Sequence, residues 1–299
     1  MRSMWRARQW GMGVLLLAMA TAGWAEGPAP NPADLVRRAV ANEAKANSDR
    51  SKYMFKDRKQ TPRGCSTKLI VETNEAAAGL VIAYDDKPLG PEQQRAEMAR
   101  VRRFLDDPEE LRKKAKQEKE DAERVNRIVR ALPDAFLYQA DGTERGSDGV
   151  GKEGDALVRL SFKPNPAYSP PSRVEQVLTG MQGYLLIDAE QMRIAKMDGT
   201  LFKDVGFGWG ILGHLDKGGH FLVEQAEVEK RHWDISRMSL KFTGRILLFK
   251  RIDIESEDRY SDFREVAPDL TFAQGVELLK KQQAELAASH GTGSGLSRR

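Results

Sequence analysis

Large apolar residues occupy every second position in several parts of residues 180–266, and polar residues lie between them. The clearest example is the series Met238, Leu240 and Phe242. A period of two places the apolar side chains on one face of a strand and the polar ones on the other. Glycine and aspartate residues separate such segments, which is the pattern of strands that turn back on one another. The region therefore predicts a run of antiparallel strands with one buried face.

In residues 206–211, glycine alternates with large apolar residues. The apolar residues would share one face of an extended segment, and the opposite face would carry only glycine. Such a face lets another group approach the backbone closely. That group is either a helix of the same chain, which is the more common case, or a ligand. The predicted apolar ligand-binding residues are Phe207, Trp209, Ile211, Met238, Leu240 and Phe242.

The first part of the chain predicts one helix followed by strands. Asn31 and Pro32 have the arrangement of a cap and a first-turn proline, and apolar residues recur at helical spacing as far as Asn47. Strand patterning then begins and is interrupted by a short break typical of a hairpin. The predicted strands cover residues 53–59, 67–73 and 80–84.

Residues 91–132 differ in composition from what precedes them, because Glu, Lys, Arg, Gln and Ala dominate. Asp107 and Pro108 interrupt the helical pattern with a cap and a first-turn proline, so the segment predicts two helices. The stretch Leu132-Pro133-Asp134-Ala135-Phe136 predicts the end of the second helix. Acids and bases alternate at helical neighbour spacing, which is typical of a solvated face and would also suit a docking surface. The prediction is a charged helical insertion between strands of one sheet.

The remaining segments predict more strands and a last helix. Residues 136–140 and 155–162 have strand patterning, and residues 163–172 hold four prolines that exclude a central strand or a helix. Residues 270–286 have the spacing of an amphipathic helix. The predicted fold class is α+β, with a curved, mainly antiparallel, half-barrel-like sheet wrapped against helices. The predicted domain covers residues 33–286.

The N-terminal pattern predicts export. Three arginines precede an apolar run at residues 11–20, and the small residues Gly23 and Ala25 follow it. This is the pattern of a secretory signal peptide cleaved after Ala25. The apolar run is too short to span a bilayer, so the expected mature chain has no transmembrane segment and is soluble in the periplasm or outside the cell. The other predicted parts are a signal peptide at 1–25, a flexible leader at 26–32 and a disordered tail at 287–299.

Charge and cysteine content narrow the range of partners. The 299-residue chain has a formal net charge of +4, and the predicted signal peptide contributes three arginines without an acid. The remainder is close to neutral and has no concentrated basic face, so nucleic acid is not an expected partner. Cys65 is the only cysteine of the sequence. It excludes an intramolecular disulfide and a cysteine-based metal site.

No motif in the chain predicts an enzyme. Residues 208–213 fit the spacing of a dinucleotide site, but a strand rather than a helix is predicted after them. His214, His220 and His232 match no helical metal motif in their spacing. The chain also lacks a Gly-x-Ser-x-Gly elbow and a carboxylate pair of the glycosidase kind. The expectation is a non-enzymatic protein without a cofactor or a metal.

The order of elements resembles that of the periplasmic lipoprotein-carrier and lipoprotein-receptor superfamily. Two sequence segments are similar as well: residues 183–188, Gly-Tyr-Leu-Leu-Ile-Asp, and residues 193–197, Arg-Ile-Ala-Lys-Met. The chain also resembles a group of exported bacterial proteins to which no function is assigned. The shared phrases are Leu132-Pro133-Asp134-Ala135-Phe136, Lys163-Pro164-Asn165-Pro166 and Asp204-Val205-Gly206-Phe207-Gly208.

In the superfamily, the concave side of a curved sheet and the helices across it enclose an apolar cavity for acyl chains. The resemblance therefore implies a soluble exported protein that binds a lipid, an acyl chain or a lipoprotein on the concave side of its sheet. Glu26 rather than a cysteine follows the predicted cleavage site, which is similar to the soluble carrier type. The alternative is a non-enzymatic envelope protein that docks a protein partner through the charged helices of residues 91–132.

Overall fold

A computed structural model describes residues 31–48, 51–207, 213–229, 232–246 and 250–293. The described residues belong to one compact unit that begins at Asn31. In chain order its elements are α1 (Pro32–Ser48), β1 (Lys52–Thr61), β2 (Gly64–Val71), β3 (Ala78–Tyr84), β4 (Lys87–Pro88), α2 (Pro91–Asp106), α3 (Pro108–Ala135), β5 (Phe136–Arg145), β6 (Ala156–Pro164), α4 (Arg173–Gln176), a 3₁₀ helix (Val177–Gly180), β7 (Met181–Asp188), β8 (Arg193–Leu201), β9 (Val205–Phe207), β10 (Gly213–Leu215), β11 (His220–Glu229), β12 (His232–Ile246), β13 (Lys250–Val266) and α5 (Phe272–Gly293).

All of these strands belong to one antiparallel sheet. Its order is β4-β3-β2-β1-β13-β12-β11-β8-β7-β6-β5, and β10 pairs with both β12 and β9. β4 and β5 are therefore the two ends of the sheet, and α2 and α3 connect them. The predicted α+β class, with a charged helical insertion between strands of one antiparallel sheet, is confirmed.

The register of the strands assigns side chains to two faces of the sheet. Lys68 of β2 lies opposite Asp57 of β1. Lys59, two residues further along β1, lies opposite Asp258 of β13, which in turn lies opposite Met238 of β12. Residues directly opposite each other, and residues two apart in one strand, point to the same side. These five side chains therefore share one face, which we call the inner face, and the other is the outer face.

The main hydrophobic core covers the inner face at the β5 end of the sheet. Leu185 of β7 and Ile194 of β8 are buried there together with Val36 of α1. Leu132 and Ala135 bring the last turn of α3 into the same cluster. The helices α1 and α3 thus close this half of the inner face.

A second core lies at the β4 end, on the outer face. Leu69 and Val71 alternate with Lys68 along β2, so they point away from the inner face. They are buried against Phe272 and Val276 of α5. The two cores therefore lie on opposite faces of the sheet, and the inner face near β2 is left to other parts of the chain.

The helix α2 covers the open edge of β3. The Val81 amide donates a hydrogen bond to Glu97 Oε1 at 2.7 Å, and Arg100 Nη2 donates one to the Gly79 carbonyl oxygen at 2.7 Å. Both backbone groups belong to β3 and would otherwise be unsatisfied at a sheet edge. Two side chains of one helix thus take the place of a neighbouring strand.

The helix α3 is anchored at both ends and free in between. Near its start, Glu118 Oε2 accepts a hydrogen bond of 3.0 Å from the Ala77 amide, beside β3. At its end, its last turn is buried in the main core. Residues 119–127 are exposed throughout. This run is longer than two helical turns and so includes every side of the helix. The side chains in the middle of α3 are therefore exposed around the whole helix.

Several element boundaries differ from the sequence predictions; β2, for example, covers Gly64–Val71 rather than residues 67–73, and β6 ends at Pro164 rather than at residue 162. α3 begins as predicted, with the Asp107 side chain accepting hydrogen bonds from the first turn, but it continues through Pro133 to Ala135. The end lies within the predicted stretch 132–136, but the helix passes the predicted insertion bound of residue 132, because a proline in the last turn removes only one hydrogen bond and the residues around it are buried in the core. β5 extends to Arg145 and α5 to Gly293, beyond the predicted ends at 140 and 286.

Candidate functional site

Of the six predicted ligand-binding residues, Trp209 and Ile211 lie outside the described residues. Phe207 is the last residue of β9 and pairs with Gly213 of β10. It is half-buried and packs against the main core.

Met238, Leu240 and Phe242 share the inner face of β12. Phe242 is buried in the main core, and Leu240 is half-buried against it. The ring of Phe242 lies so close to Gly219 that a Cβ there would be 2.5 Å from ring atom Cδ1. The approach that glycine permits is thus made, at this position, by an aromatic ring of the same chain. A ligand-binding role for these residues stays a prediction.

A cavity of about 400 Å³ lies between α2, the first half of α3 and the strands β2 and β3. We call it the α2–α3 cavity. Its volume falls within the range of roughly 300–1,000 Å³ found for small-molecule sites. None of the four predicted residues that the structure describes lines it. The lining residues used below are Lys68, Ile70, Val81, Glu97, Arg100, Val101, Phe104, Lys114, Glu118 and Phe272.

Apolar side chains form part of the cavity wall. Ile70 and Val81 come from the strands, and Phe104 comes from α2. Val101 and Phe272 are buried members of the second core. The cavity is therefore bounded on one side by packed hydrophobic core, and an apolar group placed against that side would lose part of its contact with water.

Two of the three cationic side chains in the wall are held by acidic partners. Arg100 donates to both carboxylate oxygens of Glu97, each at 2.7 Å, in addition to the carbonyl of Gly79. Lys114 forms an ion pair with Glu118 one turn further along α3. The third cation, Lys68, has no side-chain hydrogen bond or ion pair with the residues that the structure describes.

Asp57 lies directly opposite Lys68 in the pairing of β1 with β2. Its side chain is buried, and its Oδ1 atom has no hydrogen-bond partner among the described residues. Burial raises the pKa of Asp57, the charge of Asp258 raises it further, and Lys68 and Lys59 oppose the increase. The net result is a pKa above the ordinary value. The charge of Lys68 therefore affects the pKa of Asp57, although the two side chains do not form an ion pair.

Glu97 has the opposite balance. Burial raises its pKa, but the hydrogen bonds from Arg100 and from the Val81 amide outweigh burial and hold the pKa below its ordinary value of 4.5. A carboxylate with a lowered pKa contributes stability that is present above the ordinary pKa and is lost as the pH falls through the folded-state pKa.

We expect Glu97→Gln to lower the free energy of unfolding by roughly 1–2 kcal/mol at pH 7, because it weakens charge-assisted hydrogen bonds. The difference from the parent protein should shrink as the pH falls below 4.5. Urea unfolding at several pH values measures both effects. Glu277→Gln, in an exposed pair with Lys280, is the control and should have little effect at any pH. A difference for Glu97→Gln that grows in acid would contradict this assignment.

The three histidines considered for zinc are separated by the fold. They lie on β10, β11 and β12, and each contacts its own aspartate. The pairs are His214 with Asp216 at 3.1 Å, His220 with Asp198 at 2.9 Å and His232 with Asp234 at 3.3 Å. Within the described ranges, no three His, Cys, Asp or Glu side chains are grouped so that they could hold a metal ion.

Sequence reasoning missed Lys68 and Ile70 as site residues. Both belong to a predicted strand in which Leu69 and Val71 are also apolar. The sequence signal for them is that Leu69, Ile70 and Val71 are consecutive apolar residues, so apolar side chains point to both faces of the strand. Such a strand is typically covered on both faces. What covers the inner face at this point depends on α2 and α3, whose path across the sheet is a long-range feature that no local pattern reveals.

Two further findings bear on function. Among the described residues, no helix has the length and apolar character needed to cross a membrane. Comparisons of the chain with protein-family models, with curated proteins and with solved structures returned no significant match.

Proposed function

We propose that this chain is a soluble exported binding protein that holds the apolar chain of a lipid or lipoprotein in the α2–α3 cavity, where inner-face side chains of β2 and β3 meet members of the second core. The observation that carries the proposal is the cavity itself. It is open to solvent on one side, measures about 400 Å³, and has apolar side chains in its wall, which suits a small-molecule site. Each methylene group placed there would gain about 0.8 kcal/mol.

The α2–α3 cavity and the predicted site both include inner-face side chains, but at different places along the sheet. Ile70 lies two residues from Lys68 on β2, so it points to the same inner face as Met238 and Leu240 of β12. The predicted residues of β12 lie beside the main core, whereas Ile70 lies in the open part. The proposal therefore moves the centre of the site from β12 to β2.

The exposed middle of α3 is consistent with a ligand that is longer than the cavity. Residues 119–127 are exposed on every side of the helix, so this part of α3 is open to solvent. An acyl chain that begins in the cavity can then continue below α3. Export is supported by the signal-peptide pattern of residues 1–25.

The binding test uses N-phenyl-1-naphthylamine, a neutral dye whose emission rises in apolar surroundings. We expect saturable binding by the parent protein and about tenfold weaker binding by Ile70→Phe, because the larger ring fills the cavity. Ile254→Phe is the matched control, since Ile254 is an exposed residue of the same type on β13. Mass spectrometry of an organic extract of the purified protein would identify a natural ligand.

Two outcomes would contradict the proposal. One is emission that does not saturate, and the other is equal weakening by Ile70→Phe and Ile254→Phe in variants that keep the parent circular dichroism spectrum. The exposed charges of α3 favour the docking alternative, which makes a different prediction. Reversing the charge of Lys119 should leave dye binding unchanged under both proposals and should weaken capture of a protein partner only if α3 is a docking surface.

A further inference from the structure

The wall of the α2–α3 cavity contains one more cationic than acidic side chain. The cations are Lys68, Arg100 and Lys114, and the acids are Glu97 and Glu118. Arg100 forms an ion pair with Glu97 and also donates to a backbone carbonyl, and Lys114 forms an ion pair with Glu118. The remaining positive charge resides on Lys68.

The position of Lys68 makes its lack of a partner unusual. It is half-buried on the inner face of β2, and a lysine removed from water normally pairs with an acid. Asp57 is directly opposite on β1 and Glu97 faces the same cavity, yet neither forms an ion pair with Lys68. Glu97 is instead held by Arg100 and the Val81 amide. The ammonium group is therefore placed beside an apolar wall and remains available to a ligand.

We propose that Lys68 binds the carboxylate of an amphipathic ligand whose apolar chain occupies the α2–α3 cavity. This inference rests on the proposed function and adds the class of ligand, which is a chain-bearing carboxylic acid. An apolar wall formed by Ile70, Val81 and Phe104 next to one free ammonium group is complementary to such a molecule.

The surroundings of Lys68 favour a single negative charge over two. The charge of Lys68 acts to lower the pKa of both Asp57 and Glu97, so both carboxyl groups lie near its ammonium group. A second negative charge on the ligand would be repelled by these carboxylates, while only one ammonium group is free to compensate it. A carboxylate therefore suits the site better than a phosphate dianion.

Displacement of N-phenyl-1-naphthylamine tests the inference on the intact protein. The probes are decanoate, decanol and decyl phosphate, which share one chain length. We expect decanoate to displace the dye at about tenfold lower concentration than decanol. Decyl phosphate should be weaker than decanoate, and added salt should reduce the advantage of decanoate over decanol.

Variants assign the preference to one side chain. Lys68→Met should still bind the dye but should no longer distinguish decanoate from decanol, and Lys68→Arg should keep the preference. Lys163→Met, at an exposed lysine of β6 away from the cavity, is the control for net charge and should behave as the parent protein does.

Each result decides between the two proposals. Failure of the parent protein to bind the dye would overturn both of them. Dye binding with equal displacement by decanoate and decanol would overturn only the carboxylate inference. Loss of the preference in Lys114→Met but not in Lys68→Met would overturn the assignment to Lys68. The comparison of decanoate with decanol needs no variant, so it decides the ligand class even if Lys68→Met does not fold.

Discussion

Replacing Glu43 with glutamine is expected to lower the free energy of unfolding by about 3 kcal/mol, because breaking a buried ion pair leaves an uncompensated charge. Glu43 of α1 accepts two hydrogen bonds of 2.9 Å from Arg193 at the start of β8. It also accepts one of 3.1 Å from the Ile194 amide. Only 8% of the Glu43 side chain and 12% of the Arg193 side chain are exposed. The pair fastens the first helix to the sheet beside the main core.

Urea unfolding followed by far-ultraviolet circular dichroism measures this loss. Asp34→Asn is the control in the same helix, since Asp34 and Arg37 form an ion pair in which both side chains are more than half exposed. Its effect should stay within about 0.5 kcal/mol. The double variant Glu43→Leu with Arg193→Met should recover most of the loss, because it leaves no buried charge. A loss for Glu43→Gln no larger than for Asp34→Asn would show that the pair does not fasten α1.

The elements of this fold are largely encoded in local patterns. The cap and first-turn proline at Asp107 and Pro108 predict the division between α2 and α3, and the structure places the division there. The alternation along Met238, Leu240 and Phe242 predicts a strand with these residues on one face, which is the arrangement in β12. Local signals suffice here because caps and side-chain alternation act over a few residues.

The candidate site is encoded differently, because it depends on how distant elements meet. Phe242 and Ile70 are both apolar residues of strands with similar patterning. One is buried by the main core, and the other lines a cavity. The difference arises because α3 packs closely only at its ends, and no residue within the strands specifies that. The charge pattern of α3 predicts that the helix is solvated, but it does not predict which part of the sheet stays uncovered.

A row of residues across four strands also depends on long-range contacts, which a local sequence pattern does not predict. The row runs across neighbouring strands, each residue directly opposite the next: Phe162 of β6, Gly183 of β7, Gly199 of β8 and Phe221 of β11. Two phenylalanines therefore flank two glycines on the inner face. A Cβ at Gly199 would be 2.4 Å from Phe221 Cε1 and 3.3 Å from Phe162 Cζ. The glycine at this position makes room for aromatic rings that come from strands distant in the sequence.

Gly183→Ala is expected to destabilise the protein more than Gly199→Ala, although both changes add one methyl group to the same row. At Gly183 the new Cβ would be 1.9 Å from the backbone oxygen of Asp198, and the backbone there is held in the pairing of β7 with β8. At Gly199 the nearest atoms belong to phenylalanine side chains, which can shift. Overpacking that side chains can absorb costs about 1–3 kcal/mol, so Gly183→Ala should exceed about 3 kcal/mol.

Urea unfolding of the two variants measures the difference, and Gly142→Ala is a useful third variant. Gly142 has a positive φ of 86°, and a Cβ there meets nothing within 4 Å. Its cost should therefore reflect backbone strain alone, about 1 kcal/mol. The expected order of destabilisation is Gly183→Ala, then Gly199→Ala, then Gly142→Ala. If Gly183→Ala were no more costly than Gly142→Ala, β7 and β8 would have to separate at this point without loss, and the close packing of the inner face would not depend on the glycine.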